Sequence, residues 1–594
     1  MKRILVLLGT VLMAVFTIVA CGREEPAVTT EITTVSDTSF EVAETTEPIT
    51  IDIVVNGKAV FNIVRDDDAA PASLVVSQAR SVIDQIKSLT GATAKLNTDW
   101  SQKGAELDSS TYEILVGLTD YSETRQVMET LKYGECAVRL VGNKIVVFGY
   151  TDSTMSQAVS YLNRVLKKAT SEDGRSITIT AEDLEYFKST DGRMNALPVY
   201  EEGTFISHYK AGNQVDEFIV GDTSPDEYRD YLKKLEEAGF ACYTTHQITD
   251  NLFATYTNDQ YTVTAGYYDY EKSVRLLIEP LAPAVGLESE NVYTSVTTSQ
   301  LTMLGLEYKN GDGSYTSNGL SVLIRLTDGR FIIVDGGFNR AKHSEELMRH
   351  LREQSAGYAK SMKDITIAAW IITHPHGDHD GLLIGKHTDF MGITVERVLV
   401  NFLSEVEMTK GETNSEYQDV LLAAWTLDAT IHQIHVGQVF WFADLKMEVL
   451  YTIESFGPRV CTGSNTTSVI LRMEFGGETV YLSTGDASGD GMEICARMYG
   501  DYLQSDIIQV CHHGYDTWGN DAGTMKAYRT INAPTVLWPQ GLNDYPICKI
   551  KEHNAVLFDV PNYKEVYVSG AEGDSITLPI PYTVGAAIEN RTAG

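Results

Sequence analysis

Cations, cysteines and long apolar stretches are all scarce in this chain of 594 residues. It carries 47 Lys and Arg against 81 Asp and Glu, a formal net charge of −34. Nucleic acid binding draws its affinity from Lys and Arg clusters that displace counterions. No such run flanks the histidine motifs described below. So acidic a chain argues against nucleic acid as a partner. The seven cysteines include no C-x-x-C pair, which leaves neither a zinc knuckle nor a redox motif. Six of them (Cys136, Cys242, Cys461, Cys495, Cys511, Cys548) are too dispersed for a disulfide scaffold. Between residues 50 and 285 there is no internal repeat and no nucleotide-binding glycine loop.

Histidine is also sparse, 13 residues in all, so its clustering carries information. Three histidines and an aspartate fall within the six residues His374 to His379 of Thr373-His374-Pro375-His376-Gly377-Asp378-His379-Asp380-Gly381, directly after the apolar run Ile367 to Ile372. A strand ending in a short loop presents all four side chains in one place. Imidazole nitrogen and carboxylate oxygen suit zinc, iron or manganese. H-x-H-x-D-H spacing serves two adjacent metals, His374 and His376 on one, Asp378 and His379 on the other.

Two later strands end in further candidate ligands. Val480 to Ser483 runs into Thr484-Gly485-Asp486-Ala487, and a carboxylate between two metals binds both through its two oxygens. Asp506 to Val510 runs into Cys511-His512-His513-Gly514. Upstream, Phe331-Ile332-Ile333-Val334-Asp335 is a strand ending in an aspartate. In this order the motifs resemble the metallo-β-lactamase superfamily, over roughly residues 291 to 585. The resemblance implies an αββα sandwich, a dinuclear metal hydrolase, and an Asp335 that orients ligands. It also implies metal ligation by His374, His376, Asp378, His379, Asp486 and one of the two tandem histidines. We expect His512 to be that ligand, with His513 touching substrate oxygen or giving a proton to the leaving group.

The chain departs from the family at one point. A third histidine for the first metal is expected between the H-x-H-x-D-H motif and the bridging Asp. His387, His432 and His435 do not stand at that place; Ser464-Asn465-Thr466-Thr467-Ser468 does. This is similar to the N-x-x-S segment of the subgroup found in bacterial DNA-uptake channel proteins (ComEC-type). Asn465 would be a neutral oxygen ligand or a hydrogen-bond donor to substrate. The cofactors implied are two divalent metal ions, zinc first, with manganese or iron as alternatives because oxygen-rich shells suit harder cations. Such a pair lowers the pKa of a bridging water toward neutrality, and Asp378 would hold that water as well as its metal. His553, in Lys551-Glu552-His553-Asn554, is a further catalytic candidate, against the reading of a surface histidine before a helix. His343, His350 and His387 are expected to face solvent.

The amino terminus sets the expected location. Met1-Lys2-Arg3 precedes the apolar run Ile4 to Ala20, and Ile18-Val19-Ala20-Cys21 is close to a bacterial lipobox with Cys21 as the lipidated residue. An uncleaved membrane anchor is the alternative, but it explains neither Cys21 nor the polar segment that follows. Either reading places the rest of the chain outside the cytoplasm, membrane-anchored at the bacterial cell surface. The expected division is a lipoprotein signal over 1–21 and a disordered, Thr- and Glu-rich spacer over 22–49. An α/β accessory domain then covers 50–190, a small α+β domain 200–285, and the hydrolase 291–594.

The fold class is thus α/β (α+β), with the sandwich preceded by two smaller α/β domains. In the first of these, Tyr112 to Gly117 is a buried strand. Cys136 to Leu140 pairs with Lys144 to Gly149 across Val141-Gly142-Asn143. The order of elements is similar to the accessory domain of hexosaminidases and α-glucuronidases. In the second, Tyr256, Tyr261, Tyr267, Tyr268 and Tyr270 form either a carbohydrate-stacking face or ordinary sheet packing. Trp538 either walls the pocket or fills core. The function expected is hydrolysis of a phosphodiester or phosphoester of a small or cell-envelope molecule. Carboxylic ester, lactone or amide hydrolysis is the alternative chemistry. A glycan-binding surface lipoprotein with a vestigial metal site is the alternative class.

Overall fold

The computed structural model describes residues 49–590 except 70–72, 103–104, 191, 213, 282–291, 317–318, 403–415, 460, 462, 517–521 and 571–573. Cys21, the lipobox around it and the spacer up to residue 48 lie outside the described residues. Among the described residues no helix is long and apolar enough to cross a membrane.

The first region is a six-stranded mixed sheet with two long helices, Leu74–Thr90 and Asp152–Lys168, on one face. Its central strand, Glu113–Val116, is buried on both sides and pairs in parallel with Asn62–Arg65 and Lys144–Gly149. That pairing accounts for its unbroken apolar run. Gly142 and Asn143 turn the chain between Glu135–Val141 and Lys144–Gly149, which pair antiparallel. Thr151 and Thr154 close a reciprocal cap at the start of the second helix.

The second region is an antiparallel six-stranded sheet carrying the helix Pro225–Glu237. Ser224 and Glu227 cap that helix reciprocally, and Pro225 takes its first turn, where no N–H is missed. The tyrosines follow the packing reading. Tyr256, Tyr267 and Tyr268 are buried, so they make no stacking face; Tyr261 is half-buried and Tyr270 alone is fully exposed.

The third region contains two sheets. The first runs, from one edge, Thr430–Gln433, Arg397–Val400, Thr366–Ile371, Phe331–Asp335, Ser321–Arg325, Gln300–Met303, Ser575–Pro579, Ile588–Asn590. The second runs Val439–Phe442, Leu445–Tyr451, Ile470–Phe475, Thr479–Ser483, Ile507–Gln509, Thr535–Trp538, Glu565–Val568. One continuous core holds Val322, Ile332 and Ala369 of the first together with Met447, Leu471 and Tyr481 of the second. The outer faces are covered by Ala341–Ser355 and Glu416–Thr426 on one side and by Gly489–Tyr499 and Met525–Ile531 on the other. Parallel pairing at the centre of each sheet gathers the carboxyl ends of Phe331–Asp335, Thr366–Ile371, Thr479–Ser483 and Ile507–Gln509. The histidine and aspartate motifs sit at these ends.

Two histidines expected at the surface are not there. His343 is 1% and His350 2% exposed. They share a helix face with Leu347 and Leu351 at spacings of three and four, and that face is turned to the sheet. His350 is buried beside Glu346, its Nε2 3.1 Å from the carboxylate. His387 is half-buried, with Nδ1 3.1 Å from the Leu383 carbonyl.

The second and third regions share a core, in which Ile248, Phe253 and Tyr268 pack with Leu450, Tyr451 and Phe456. Charged groups cross the same contact. Arg275 is buried and donates to Glu217 (3.1 Å) and to the carbonyls of Glu454 (2.7 Å) and Gly457 (3.1 Å). His435 spans Glu279 (3.0 Å) and Glu454 (2.5 Å), which is why this histidine lies away from the metal motifs.

Candidate metal centre

The strand Thr366–Ile371 is buried along nearly its whole length, and the chain then turns through Thr373–Asp380 into the short helix Gly381–Lys386. Gly381 allows that turn. A Cβ there would stand 2.5 Å from the Asn339 nitrogen and 2.7 Å from the Gly337 oxygen, closer than any side chain tolerates. The loop after Asp335 is thereby held against the loop that bears the histidines.

Two groups of donors result. His374, His376 and Asp486 offer atoms all within 4.8 Å of one another, and so do Asp378, His379 and His513. Asp486 lies between the groups. Its Oδ2 is 3.7 Å from His374 Nε2 and 3.2 Å from His379 Nε2, while its Oδ1 is 3.4 Å from His513 Nε2. Asp378 Oδ2 stands 3.9 Å from His379 Nε2 and 3.6 Å from His513 Nε2.

The remaining ring nitrogens are tied outward. His379 Nδ1 is 2.8 Å from Asp335 Oδ2, His513 Nδ1 is 2.8 Å from the Pro539 carbonyl, and His374 Nδ1 is 3.1 Å from Thr373 Oγ1. Nδ1–H donation of this kind fixes the tautomer and leaves Nε2 as the lone-pair donor. Ring nitrogens then face each other, His374 Nε2 with His376 Nδ1 at 2.9 Å and His379 Nε2 with His513 Nε2 at 3.3 Å. Nitrogens so close need a proton or a cation between them. Four imidazoles and two carboxylates converging in this way fit two divalent metals.

Electrostatics agrees with that fit. Burial, then the charges of His379 and His376, hold His374 well below the ordinary imidazole range. It is therefore neutral, the form that binds metal. Burial disfavours charge on Asp486, yet His379, His513 and His512 together hold its carboxyl well below the usual range. Burial also opposes charge on His379, but Asp486 and Asp335 outweigh it and raise that imidazole. A cation takes the place of such a proton.

The structure separates the two tandem histidines. His513, not His512, joins Asp378 and His379. Both residues have positive φ, 47° and 53°, a conformation that costs a side-chain-bearing residue roughly 1 kcal/mol or more. The turn swings His513 inward, where Pro539 fixes its ring and the Trp538 indole donates to its carbonyl at 2.8 Å. Gly514 follows at φ 82°, and a Cβ there would lie 2.4 Å from Trp538. His512 instead keeps 19% of its side chain exposed on the open side, with Nε2 3.3 Å from Asn465 Nδ2 and 3.8 Å from Asp486 Oδ2. Asn465 thus reaches the centre from the short helical turn Ser464–Thr467.

His553 joins neither group. It is buried in Glu552–Ala555, with Nε2 3.6 Å from Asp516 Oδ1, so it is no surface histidine. Trp538 is buried, and it supports the tandem-histidine turn. Sequence reasoning missed Thr373. It donates its N–H to Asp335 Oδ1 (2.8 Å) and its hydroxyl to Asp335 Oδ2 (2.9 Å). A hydroxyl residue directly before the first ligand histidine was the available signal.

Residues 315–497 match the family model described as "Metallo-beta-lactamase superfamily". The match includes His374 to His379 and Asp486, and ends before His512. No curated protein matches the chain. Among solved structures, the metallo-beta-lactamase fold protein YhfI from Bacillus subtilis is 14% identical, covering 47% of this chain and 99% of that one at a TM-score of 0.30. Yeast PDE1 is 13% identical over 48% of this chain and 100% of its own, at 0.32. CmlA, a diiron beta-hydroxylase from Streptomyces venezuelae, is 13% identical over 48% of this chain at 0.30, and only 54% of its own length is spanned. With its two donor groups, the chain carries a metallo-β-lactamase superfamily hydrolase domain, and its function is enzymatic and metal-dependent.

Proposed function

We propose that this domain hydrolyses a phosphodiester or phosphoester of a small or cell-envelope molecule. The observation that carries the reading is Asp486 between two donor groups, because paired cations suit in-line displacement at phosphorus. His374, His376 and Asp486 would hold one metal, and Asp378, His379 and His513 the other. When bound, the two ions supply a water of lowered pKa and positive charge against the developing oxyanion.

This chain's own residues do the rest. Asp378, part-exposed at the edge of its group, orients the attacking water as well as its metal. The water oxygen forms a new bond to phosphorus, and the bond from phosphorus to the leaving oxygen breaks. His512, on the open side, is placed to give that oxygen its proton. Asn465 beside it turns an amide toward substrate oxygen, in keeping with the ComEC-type resemblance of its segment. We place the enzyme outside the cytoplasm, tethered through Cys21, with its substrate in or near the envelope; the lipobox sequence supports this.

The test is elemental analysis of the full chain beside a His376→Ala, Asp378→Ala double variant, with bis(4-nitrophenyl) phosphate turnover read in the same preparations. About two metal equivalents are expected, with metal and turnover lost together in the variant. Metal with turnover of 4-nitrophenyl acetate and none of the phosphodiester would move the substrate to carboxylic esters, lactones or amides. No metal after incubation with zinc or manganese would overturn the reading.

A further inference from the structure

Close to the tandem-histidine turn lies a surface that the hydrolysis itself does not use. Leu542, Ile547 and Ile550 are 47%, 62% and 73% exposed, three large aliphatic side chains within nine residues. The short helix Tyr545–Cys548 continues as a turn, since the Lys549 nitrogen donates to the Tyr545 carbonyl and that of Lys551 to the Cys548 carbonyl. Residues three and four apart therefore share a side. Tyr545 and Cys548 take the inner side, Tyr545 against the Trp538 ring at 5.1 Å and Cys548 buried. Ile547, Ile550 and Lys551 share the other.

Lys551 connects that side to the metal centre. Its Nζ is 3.0 Å from Asp516 and 5.6 Å from the centre of the Tyr515 ring. Tyr515 in turn lies ring to ring with His512 at 6.2 Å, and its hydroxyl donates to Asp544 at 2.7 Å. A continuous path thus runs from His512 over Tyr515 and Lys551 to Ile547 and Ile550. In a chain of net charge −34, the path begins at the open side of the donor groups, passes a lysine and ends in bare aliphatic surface. Aliphatic side chains kept in water beside a reaction centre gain when an apolar part of the substrate covers them.

We infer that the substrate is an amphiphile: an anionic phosphoester head placed at the two donor groups and an alkyl chain laid over Ile547 and Ile550. This rests on the phosphoester reading above and names its substrate class. The head is recognised by charge, and the chain by burial alone. No shape-specific polar contact is asked of the tail, so chain length is what the site reads.

The experiment uses the full-length protein loaded with zinc or manganese and a series of alkyl 4-nitrophenyl phosphates from methyl to hexyl, each below its micelle-forming concentration. The leaving group is constant, so the series isolates the alkyl contribution. Each fully buried methylene is worth up to about fourfold, and kcat/KM for hexyl is expected to exceed that for methyl by at least about tenfold. The hexyl-to-methyl ratio should fall toward one in Ile547→Ser and Ile550→Ser. It should stand unchanged in Trp425→Ser, which alters an exposed apolar residue on the helix Glu416–Thr426. Metal content and thermal unfolding check that all three variants are folded. Equal kcat/KM across the series, or a ratio untouched in both isoleucine variants, overturns the inference. Absence of turnover on every member would instead count against the phosphoester reading itself.

Discussion

Asp335 Oδ2 lies 2.8 Å from His379 Nδ1, and the same carboxylate receives the N–H and the hydroxyl of Thr373. One buried residue thereby orients a donor in each group, His379 directly and His374 through Thr373. Asp335 itself sits at φ 58°, so its conformation is maintained by these bonds and not by backbone preference. Asp335→Asn should weaken metal affinity by about 10- to 100-fold, with loss from both groups. Competitive chelation of wild type and variant measures this; an unchanged affinity would show that the His379 ring is held by packing alone.

The tandem histidines should separate cleanly. His513→Ala is expected to release one metal equivalent of about two. His512→Ala should keep both metals and lose turnover by about 10²- to 10⁴-fold, the usual contribution of a positioned proton donor. The loss should shrink for substrates whose leaving group needs no proton. Parallel metal analysis and turnover with 4-nitrophenolate and alkoxide leaving groups would decide. Metal loss in His512→Ala would assign that ring to the first group.

Arg275 should matter far from any metal. Burial, partly offset by Arg275, pushes the Glu217 carboxyl up to about 8. At neutral pH the guanidinium therefore serves the Glu271 carboxylate and the carbonyls of Glu454 and Gly457. Arg275→Met leaves these carbonyls without a donor inside the protein and should destabilise the fold by about 3–5 kcal/mol. Arg275→Lys should recover part of it. Urea midpoints of the three proteins measure the effect.

Acid sensitivity should trace in part to His432. Burial, then the charge of Arg397, lowers this imidazole to about 4. Neither ring nitrogen has a hydrogen-bond partner among the described residues. The unfolded chain, with an ordinary value near 6.5, binds the proton more readily. Stability from this group is thus complete above pH about 6.5 and lost as pH falls through about 4, up to roughly 3 kcal/mol. His343, lowered to about 4 by burial and by Arg340, acts in the same direction. His432→Leu should flatten the stability profile between those pH values, as read by denaturant midpoints at each pH.

What the sequence disclosed depended on how local the signal was. His374 to Asp380 and Asp486 were legible because each motif follows its own apolar strand, and strand plus loop is enough to place a ligand. The hairpin at Gly142-Asn143 was legible for the same reason. The choice between His512 and His513 was not. It turns on two consecutive positive φ angles and on the Pro539 carbonyl, 26 residues away in sequence. The burial of His343 and His350 was hidden by polarity, although their spacing with Leu347 and Leu351 already described an inward helix face. His435 reads as an ordinary histidine until Glu279, 156 residues earlier, is seen to meet it.

The bonds of Arg275 and Glu279 bear on how such a chain is inherited. Both residues come from the strand Ser273–Pro280, while the oxygens and the imidazole they satisfy belong to residues 435–457. A gene cut between Pro280 and Gln300 would deliver a hydrolase with buried acceptors stripped of their donors. The first α/β region is joined to the second sheet by a core of its own, in which Tyr133 and Phe148 pack with Phe218 and Tyr231, and the second sheet and the hydrolase must travel together. In relatives that lack that sheet, the segment corresponding to Glu454–Gly457 should be shortened or should supply its own cation.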